Sequence, residues 1–395
     1  MTETSAADEV LISDVSLKSD ASGQELSANI DGERVWFRFP SSVPIELRPE
    51  PFLPLALMEA MVRDVPVRVE RPYAVSARLA GNFERIQQIF TSWNSEDFHV
   101  VALQSELTDR MPRTDRVTSC YSGGIDSSYT YACFKDEITH LLLVRGFDGI
   151  QTEEQWQKNI EARQRFADQE GKPLVPVANN AREFFEGRRL SFEVAHGSLL
   201  AGVGLAIGAR RMLIPSSFTY GNLFPWGSHP LLDPLWSTEA TEVIHHGLEQ
   251  SRTGKTETLS RDQGILDHLQ VCWKTPYDNC GQCPKCVRTS LALHLLGKTS
   301  ARMPALHAES HLRILKPGNH AALAYLDDLI LLSRRKSATD IERRLLSFRR
   351  RFLFKYHLSE TLKLFVGKIA RRLARRLWPK TWHGNRAKIQ ATSPF

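Results

Sequence analysis

From about residue 117 the chain alternates short apolar runs with longer stretches whose apolar residues return at helical spacing. "RVTSCYS", "THLLLVRGF", "PLVPVA" and "RMLIPSS" read as strands, each a brief apolar run bounded by turn formers. Between them "SSYTYACFKD", "TEEQWQKNIEARQRFADQEG" and "GSLLAGVGLAIGARR" read as helices, the second ending at Gly171. Strand and helix in alternation predict an α/β domain, a parallel sheet with helices on both faces. Such sheets bind ligands beyond the carboxyl ends of their strands, and Ser119–Ser128 falls on that edge.

The flanks differ. "LISDVSLKSD", "ELSANIDGERVWFRFP" and "VPVRVERPYAVS" alternate like strands between turn residues, with a helical "FLPLALMEAMVRD" among them. This predicts a small α+β N-terminal domain, 1–112, ending near the polar "TDRMPRTDR". The central domain then covers 113–300, and 301–395 reads as a helical, basic C-terminal region with basic helices over 337–380. In "TLKLFVGKIARRLARRLW", Leu362, Phe365, Val366, Ile369, Leu373 and Leu377 form one stripe, with Lys368, Arg371, Arg372, Arg375 and Arg376 largely off it.

Composition adds a charge division. The 395 residues are 42% hydrophobic and 24% charged, an ordinary globular balance that implies a real core. The net charge of +6 conceals a tail, 334–395, with 18 of the 51 Lys+Arg and three of the 45 Asp+Glu. The tail is therefore about +15 and the rest about −9. Such a tail suits an anionic membrane surface, RNA phosphates or the acidic body of the chain itself. No secretory leader and no stretch of roughly 18 apolar residues is visible, so a soluble cytoplasmic protein is expected, with peripheral membrane association and a homodimer left open.

The stretch "SCYSGGIDSSYTY" carries the first candidate chemistry. Gly123 and Gly124 between a strand and a helix let backbone N–H groups converge on an anion at the helix N-terminus. Ser122, Ser127 and Ser128 add hydroxyl donors. Asp126 would repel a phosphate unless a divalent cation bridged them, which suggests Mg²⁺ with a nucleoside triphosphate. The alternative is a plain strand-to-helix turn with Ser or Asp as cap. Ser122-Gly123-Gly124-Ile125-Asp126-Ser127 resembles the SGGxDS signature of the PP-loop ATP pyrophosphatases. That resemblance implies a HUP-like α/β fold, ATP cleavage to AMP and pyrophosphate, and adenylation of a carbonyl oxygen that nitrogen or sulfur then displaces. Ser122–Ser128 would bind ATP, with Ser122, Asp126 and Ser127 in catalytic roles.

The cysteines supply the second candidate. Cys272, Cys280, Cys283 and Cys286 run C-x7-C-x2-C-x2-C in a polar segment. Four thiolates at this spacing can close a tetrahedral Zn²⁺ site with no open position, hence a structural zinc. A four-iron cluster or four reduced thiols are the alternatives. A PP-loop followed by this cysteine pattern, with Gly281 and Arg288 in place, is similar to the 7-cyano-7-deazaguanine synthases over roughly 117–297. Where those enzymes carry Tyr-Gly-Gln after the second strand, this chain has Arg145-Gly146-Phe147, counted here with the nucleotide-binding residues. Their Tyr-Pro-Asp-Cys-Arg segment has no clear counterpart, so a different small-molecule substrate is expected.

"IPSSFTYGNLFPWGSHPLLDPLWSTE" begins on the same sheet edge. Ser216, Ser217, Tyr220, Ser228, His229 and Asp233 among Phe218, Phe224, Trp226 and Trp236 are what a small-molecule pocket needs, or else a loop packed by its own aromatics. His229 and Asp233 are the candidate acid–base pair, with His196 near the same edge. Lys274 and Arg288 beside the cysteines either neutralise pyrophosphate or are merely solvated. Cys120 and Cys133 form no CxxC pair, which disfavours a sulfur carrier. The expected activity is an ATP-dependent, AMP-forming C–N ligase. A sulfur-inserting tRNA enzyme and an inactive nucleotide-binding module are the alternatives.

Overall fold

The computed structural model describes residues 8–21, 23–147, 151–275 and 277–377, with backbone alone for 308, 309 and 359–377. The chain opens with β1 (Val10–Asp20), β2 (Gly23–Ile30) and β3 (Glu33–Phe39), paired antiparallel in sequence. Asp31-Gly32 joins β2 to β3 with φ 50° and 80°, the left-handed pair that lets a two-residue turn match strand twist. Then follow α1 (Leu53–Arg63), β4 (Val67–Val69), β5 (Ala74–Ser76), α2 (Ala77–Trp93), β6 (Leu103–Gln104) and β7 (Glu106–Thr108). Ser76 caps α2 by accepting from the Leu79 N–H.

Five further strands make the parallel half. β8 (Val117–Cys120) leads to α3 (Ile125–Cys133), and β9 (His140–Val144) to α4 (Glu153–Glu170). A Thr152/Gln155 capping box starts α4, and Gly171, at φ 63°, ends it as expected. β10 (Leu174–Asn179), α5 (Ala181–Gly187), α6 (Phe192–Ile207), β11 (Arg211–Pro215), β12 (Glu242–His246), α7 (Arg252–Leu259) and α8 (Gln263–Leu266) complete it. The strands lie in the order β10-β9-β8-β11-β12, all neighbours parallel. The winding reverses at β8, so a crevice is expected beyond the carboxyl ends of β8 and β11. The expected class is found: mixed α/β, with a large, mostly parallel sheet flanked by helices. β12, α5 and α7 were not foreseen, and α6 begins five residues before the helix read at Gly197.

The N-terminal segment is not set apart at residue 112. β10 pairs antiparallel with β3, Ala178 opposite Arg38 and Asn179 opposite Phe37. The Asn180 side chain extends this ladder, accepting from Trp36 N (2.9 Å) and donating to Arg34 O (2.8 Å). Ten strands thus share one sheet, β12-β11-β8-β9-β10-β3-β2-β1-β4-β6. One core holds Phe37, Phe52 and Leu55 together with Leu199 and Val203 of α6. The described residues up to Cys280, with Ser300–Pro304, form one compact unit. Those of Gly281–Thr299 and from Ala305 onward form a second, so the expected boundary at 300 also shifts.

The second unit contains α9 (Pro284–Leu295), α10 (Ala308–His311), α11 (His320–Arg335) and α12 (Thr339–Leu377). Val287, Leu291, Leu312, Leu326, Leu329, Leu332 and Leu345 make its core. Arg349 and Asp327 pair across α12 and α11 at 2.7 Å. The expected apolar stripe from Leu362 to Leu377, with its flanking cations, lies outside the residues whose side chains are described. Among the described residues, no helix is long and apolar enough to cross a membrane.

α6 packs against the segment before α1 at backbone distance, since a Cβ on Gly202 would stand 2.6 Å from Pro51 O and 3.0 Å from Phe37 Cζ. Gly202→Ala is expected to cost about 3 kcal/mol by overpacking at a backbone contact. Urea unfolding reads this as a lower midpoint at unchanged slope; an unchanged midpoint would contradict the contact.

Candidate functional site

The glycine loop sits at the carboxyl end of β8, where the sheet order reverses. Gly123 adopts φ 75°, and a Cβ there would lie 3.3 Å from Gln270 Cβ and 3.6 Å from Arg163 Nε. Glycine is needed both for the left-handed backbone and for these neighbours. The loop is clamped from outside: Gln270 N donates to Gly123 O (2.8 Å), and buried Arg163 of α4 donates through Nε and Nη2 to Ser122 O (3.0 and 2.8 Å). Gly124, extended, caps α3. The Ser127 hydroxyl donates to Gly124 O (3.1 Å) and lies 3.3 Å from Ser122 Oγ. Ser128 is buried, and Ile125 is wholly buried, so Ile125 anchors the helix in the core.

Asp126, in the first turn of α3, carries two cations that the sequence reading did not assign. Arg252 Nη1 meets Oδ2 at 2.6 Å and Lys255 Nζ meets Oδ1 at 3.2 Å. Ser251 caps α7 by accepting from Gly254 N, and the i, i+3 spacing puts Arg252 and Lys255 on one helix face. Lys255 is 1% exposed and also donates to Ser216 O at 2.6 Å. Burial pushes the Asp126 carboxyl up, but the charges and hydrogen bonds of Arg252 and Lys255 outweigh it and hold the group below the ordinary aspartate value. Both oxygens are already bonded to cations, so Asp126 does not present an open carboxylate to Mg²⁺.

Arg145, Gly146 and Phe147 directly follow β9, the strand paired with β8. Arg145 donates to Gln151 O (2.7 Å) and pairs with Glu153 (3.0 Å). Gly146, at φ 108°, accepts from Arg182 (2.7 Å), and Phe147 packs edge-on against Phe192 and His196.

The segment after β11 divides in two. Ser216 turns inward and bonds Phe218 O (2.7 Å), whereas Ser217 is exposed and Tyr220 is 67% exposed. Phe218, Phe224 and Trp226 form an aromatic knot with centroids 4.6 to 6.0 Å apart. Beyond it, the expected His229–Asp233 pair is replaced by another. The His229 ring accepts from Leu231 N (3.2 Å), and only its backbone N–H reaches Asp233 Oδ1 (3.1 Å). The imidazole on Asp233 is His245 of β12, Nδ1 to Oδ2 at 2.7 Å, and Ser228 Oγ donates to the same oxygen at 2.7 Å. The reason is local: a tight turn folds His229 back on its own chain and leaves the carboxylate facing β12. His196, inside α6, bonds Phe192 O through Nδ1 (3.1 Å) and accepts Ser228 N at Nε2 (3.3 Å), a neutral tether that burial keeps below its ordinary pKa.

The four cysteines come together. Their sulfurs all lie within 4.8 Å of one another, with Cys283 and Cys286 fully buried. A tetrahedral zinc places sulfurs about 3.8 Å apart, so a contraction of about 1 Å or less closes the site. Lys274 N donates to Cys272 Sγ (3.3 Å) and Cys286 N to Cys283 Sγ (3.4 Å), the N–H···S bonds that favour thiolates. The donor set therefore fits a metal such as zinc. Lys274 is exposed at this knuckle, and Arg288, on α9, holds its guanidinium 4.0 Å over the Tyr325 ring within the second unit. Cys120 is half-buried; desolvation of its thiol, with the Asp233 charge, pushes it up to about 12.

Comparisons with family models, with curated proteins and with solved structures return no match.

Two outcomes are expected. Asp126→Asn should lower stability at pH 7 by about 3 kcal/mol, since it leaves Lys255 buried without its counter-charge. The carboxyl's folded pKa lies below its unfolded value. Its contribution is therefore complete above about pH 4 and lost as pH falls through the folded value, so the variant's urea midpoint should change less with pH below about 4. Purified protein should contain one zinc per chain by emission spectrometry. Cys286→Ser should lose the metal, and chelation should lower the melting temperature by about 10 °C or more.

Proposed function

We propose that the chain is an ATP-dependent, AMP-forming ligase that adenylates a carboxylate or amide oxygen and lets ammonia or an amine displace AMP. The observation that carries this reading is the placement of the Ser122–Ser128 loop. It opens a helix at the strand where the sheet order reverses, with Arg252 and Lys255 converging on the helix's first turn. Backbone N–H groups of the loop and the N-terminus of α3 would receive the triphosphate. Arg252 and Lys255 would neutralise the charge that builds on departing pyrophosphate, a task for preorganised cations in a site shielded from water. Mg²⁺ accompanies ATP phosphates in general, whereas both Asp126 oxygens are taken by Arg252 and Lys255. Zinc at the cysteines would hold the Cys272–Cys286 segment in place and take no part in the chemistry.

Ser216 supplies a physical link from the loop to the aromatic segment, because its carbonyl accepts from Lys255. A substrate carbonyl lying against Phe218 and Trp226 would reach the α-phosphate from that side. The Cys120 thiol, held neutral by its raised pKa, supports nitrogen over sulfur as the incoming atom.

The test is formation of AMP and pyrophosphate from α-phosphate-labelled ATP by zinc-loaded protein, with pooled cell metabolites or with tRNA added. Turnover with metabolites that falls about 100-fold in Arg252→Gln is the expected result. Stimulation by tRNA alone would replace this reading with sulfur insertion, and ATP binding without AMP formation would reduce the chain to a nucleotide-binding module.

A further inference from the structure

α12 outruns the core it packs on. Leu345 and Phe348 are buried in one cluster with Leu326 and Leu329 of α11, and Phe348 is the last buried side chain among the described residues. The helix backbone continues to Leu377, 29 residues or about 44 Å further. Isolated helices are marginal in water, and most helical stability comes from covering an apolar face, so a helix of this length calls for a surface to lie on.

The stretch just past the core shows what that surface must accept. Phe354 and Leu358, four residues apart and hence on one line of the helix, are 70% and 52% exposed. Arg350 and Arg351 precede Phe354 by four and three residues and Lys355 follows it, all exposed. Arg349 turns to Asp327 (2.7 Å), whereas Arg350, Arg351 and Lys355 meet no carboxylate among the described residues. Phe352 and Tyr356 serve the fold instead: they stack on each other, and the Tyr356 ring stands edge-on to His320 of α11 at 4.5 Å. The sequence of α12 carries twelve Lys and Arg against three Asp and Glu. It also holds the apolar stripe from Leu362 to Leu377.

Charge alone would suit any polyanion, but RNA phosphates would leave Phe354 and Leu358 in water. An anionic bilayer takes both kinds of side chain at once: apolar residues sink toward the acyl chains while arginine and lysine stems reach the headgroup phosphates. No helix among the described residues is long and apolar enough to cross a membrane, so α12 would lie in the interface plane. We propose that α12 from Arg350 onward docks the chain on an anionic lipid surface, with Phe354 and Leu358 as apolar anchors and Arg350, Arg351 and Lys355 as headgroup contacts. Such docking requires nothing of the ligase chemistry.

The experiment floats full-length, zinc-loaded protein with vesicles of phosphatidylcholine, alone or with about 30% phosphatidylserine, at about 0.1 M salt. Affinity for the anionic vesicles should exceed that for phosphatidylcholine by about 100-fold or more. Replacing Arg350, Arg351 and Lys355 together by Gln should lose about 100-fold, near fivefold per charge. Phe354→Ala with Leu358→Ala keeps every charge and should lose about 10-fold or more. If that pair disturbs folding, Phe354→Trp gives a second reading: it should bind as well as the wild type and add tryptophan emission that brominated acyl chains quench. No binding by the full chain, the result if the acidic remainder of the protein already holds the tail's cations, would overturn the proposal. So would anionic-vesicle binding that the apolar pair leaves unchanged, or tighter binding to tRNA that the same pair leaves unchanged, either of which marks a surface for polyanions in general.

Discussion

The contact between Asp126 and Lys255 is the constraint on which the candidate site depends. A lysine ammonium at 1% exposure is costly to desolvate, and here it is compensated by a carboxylate and the Ser216 carbonyl together. The lysine and its two partners come from three places, the first turn of α7, the first turn of α3 and the residue after β11. Satisfying one charge therefore brings the ends of separate elements to the same edge of the sheet. Gly247, at φ 100°, lets the chain pass over the ammonium, for a Cβ would stand 3.2 Å from Nζ. Arg252 adds a second cation to the same carboxylate. Positive charge accumulates where the loop's backbone N–H groups already favour an anion.

The loop itself is held by side chains distant in sequence. Arg163 and Gln270 bond its carbonyls, and Tyr121 stacks on Phe166 at 4.8 Å. Two of its N–H groups, those of Ser122 and Gly124, meet the loop's own hydroxyls, Ser127 Oγ (3.3 Å) and Ser122 Oγ (3.4 Å), so the loop is bonded on both sides. On the other face of the sheet the Asp233 network is equally closed, each carboxylate oxygen accepting bonds from groups held in the core. Two polar clusters, one basic and one built on an acid and an imidazole, thus stand at neighbouring strand ends on opposite faces.

The N-terminal strands matter to this arrangement by support. Their pairing with β10 extends the sheet, and their core buries one side of α6, the helix that carries His196. At Gly197 a Cβ would meet Gly227 O at 1.9 Å, so α6 presses directly on the chain just before Ser228. Helix, loop and imidazole tether thereby locate the Ser228 and Asp233 groups against β12.

Local pattern determined much of this protein. The alternation of apolar runs gave four of the five parallel strands and the helices α3, α4 and α6, because burial on both faces leaves a periodic trace in each element. Adjacent glycines after a strand marked the loop, and four closely spaced cysteines marked the metal-binding group, since both are chemistries of short range. What pattern did not carry were pairings across distance. β12 holds only Val243 and Ile244 as an apolar run, too short to stand out, yet it supplies His245. Arg252 and Lys255 look like solvated cations in a polar helix until Asp126 is beside them, and Asp233's imidazole lies twelve residues on rather than four back. The N-terminal segment reads as a domain because its own alternation is complete, but free edge groups on β3 find β10, and only tertiary structure brings those edges together.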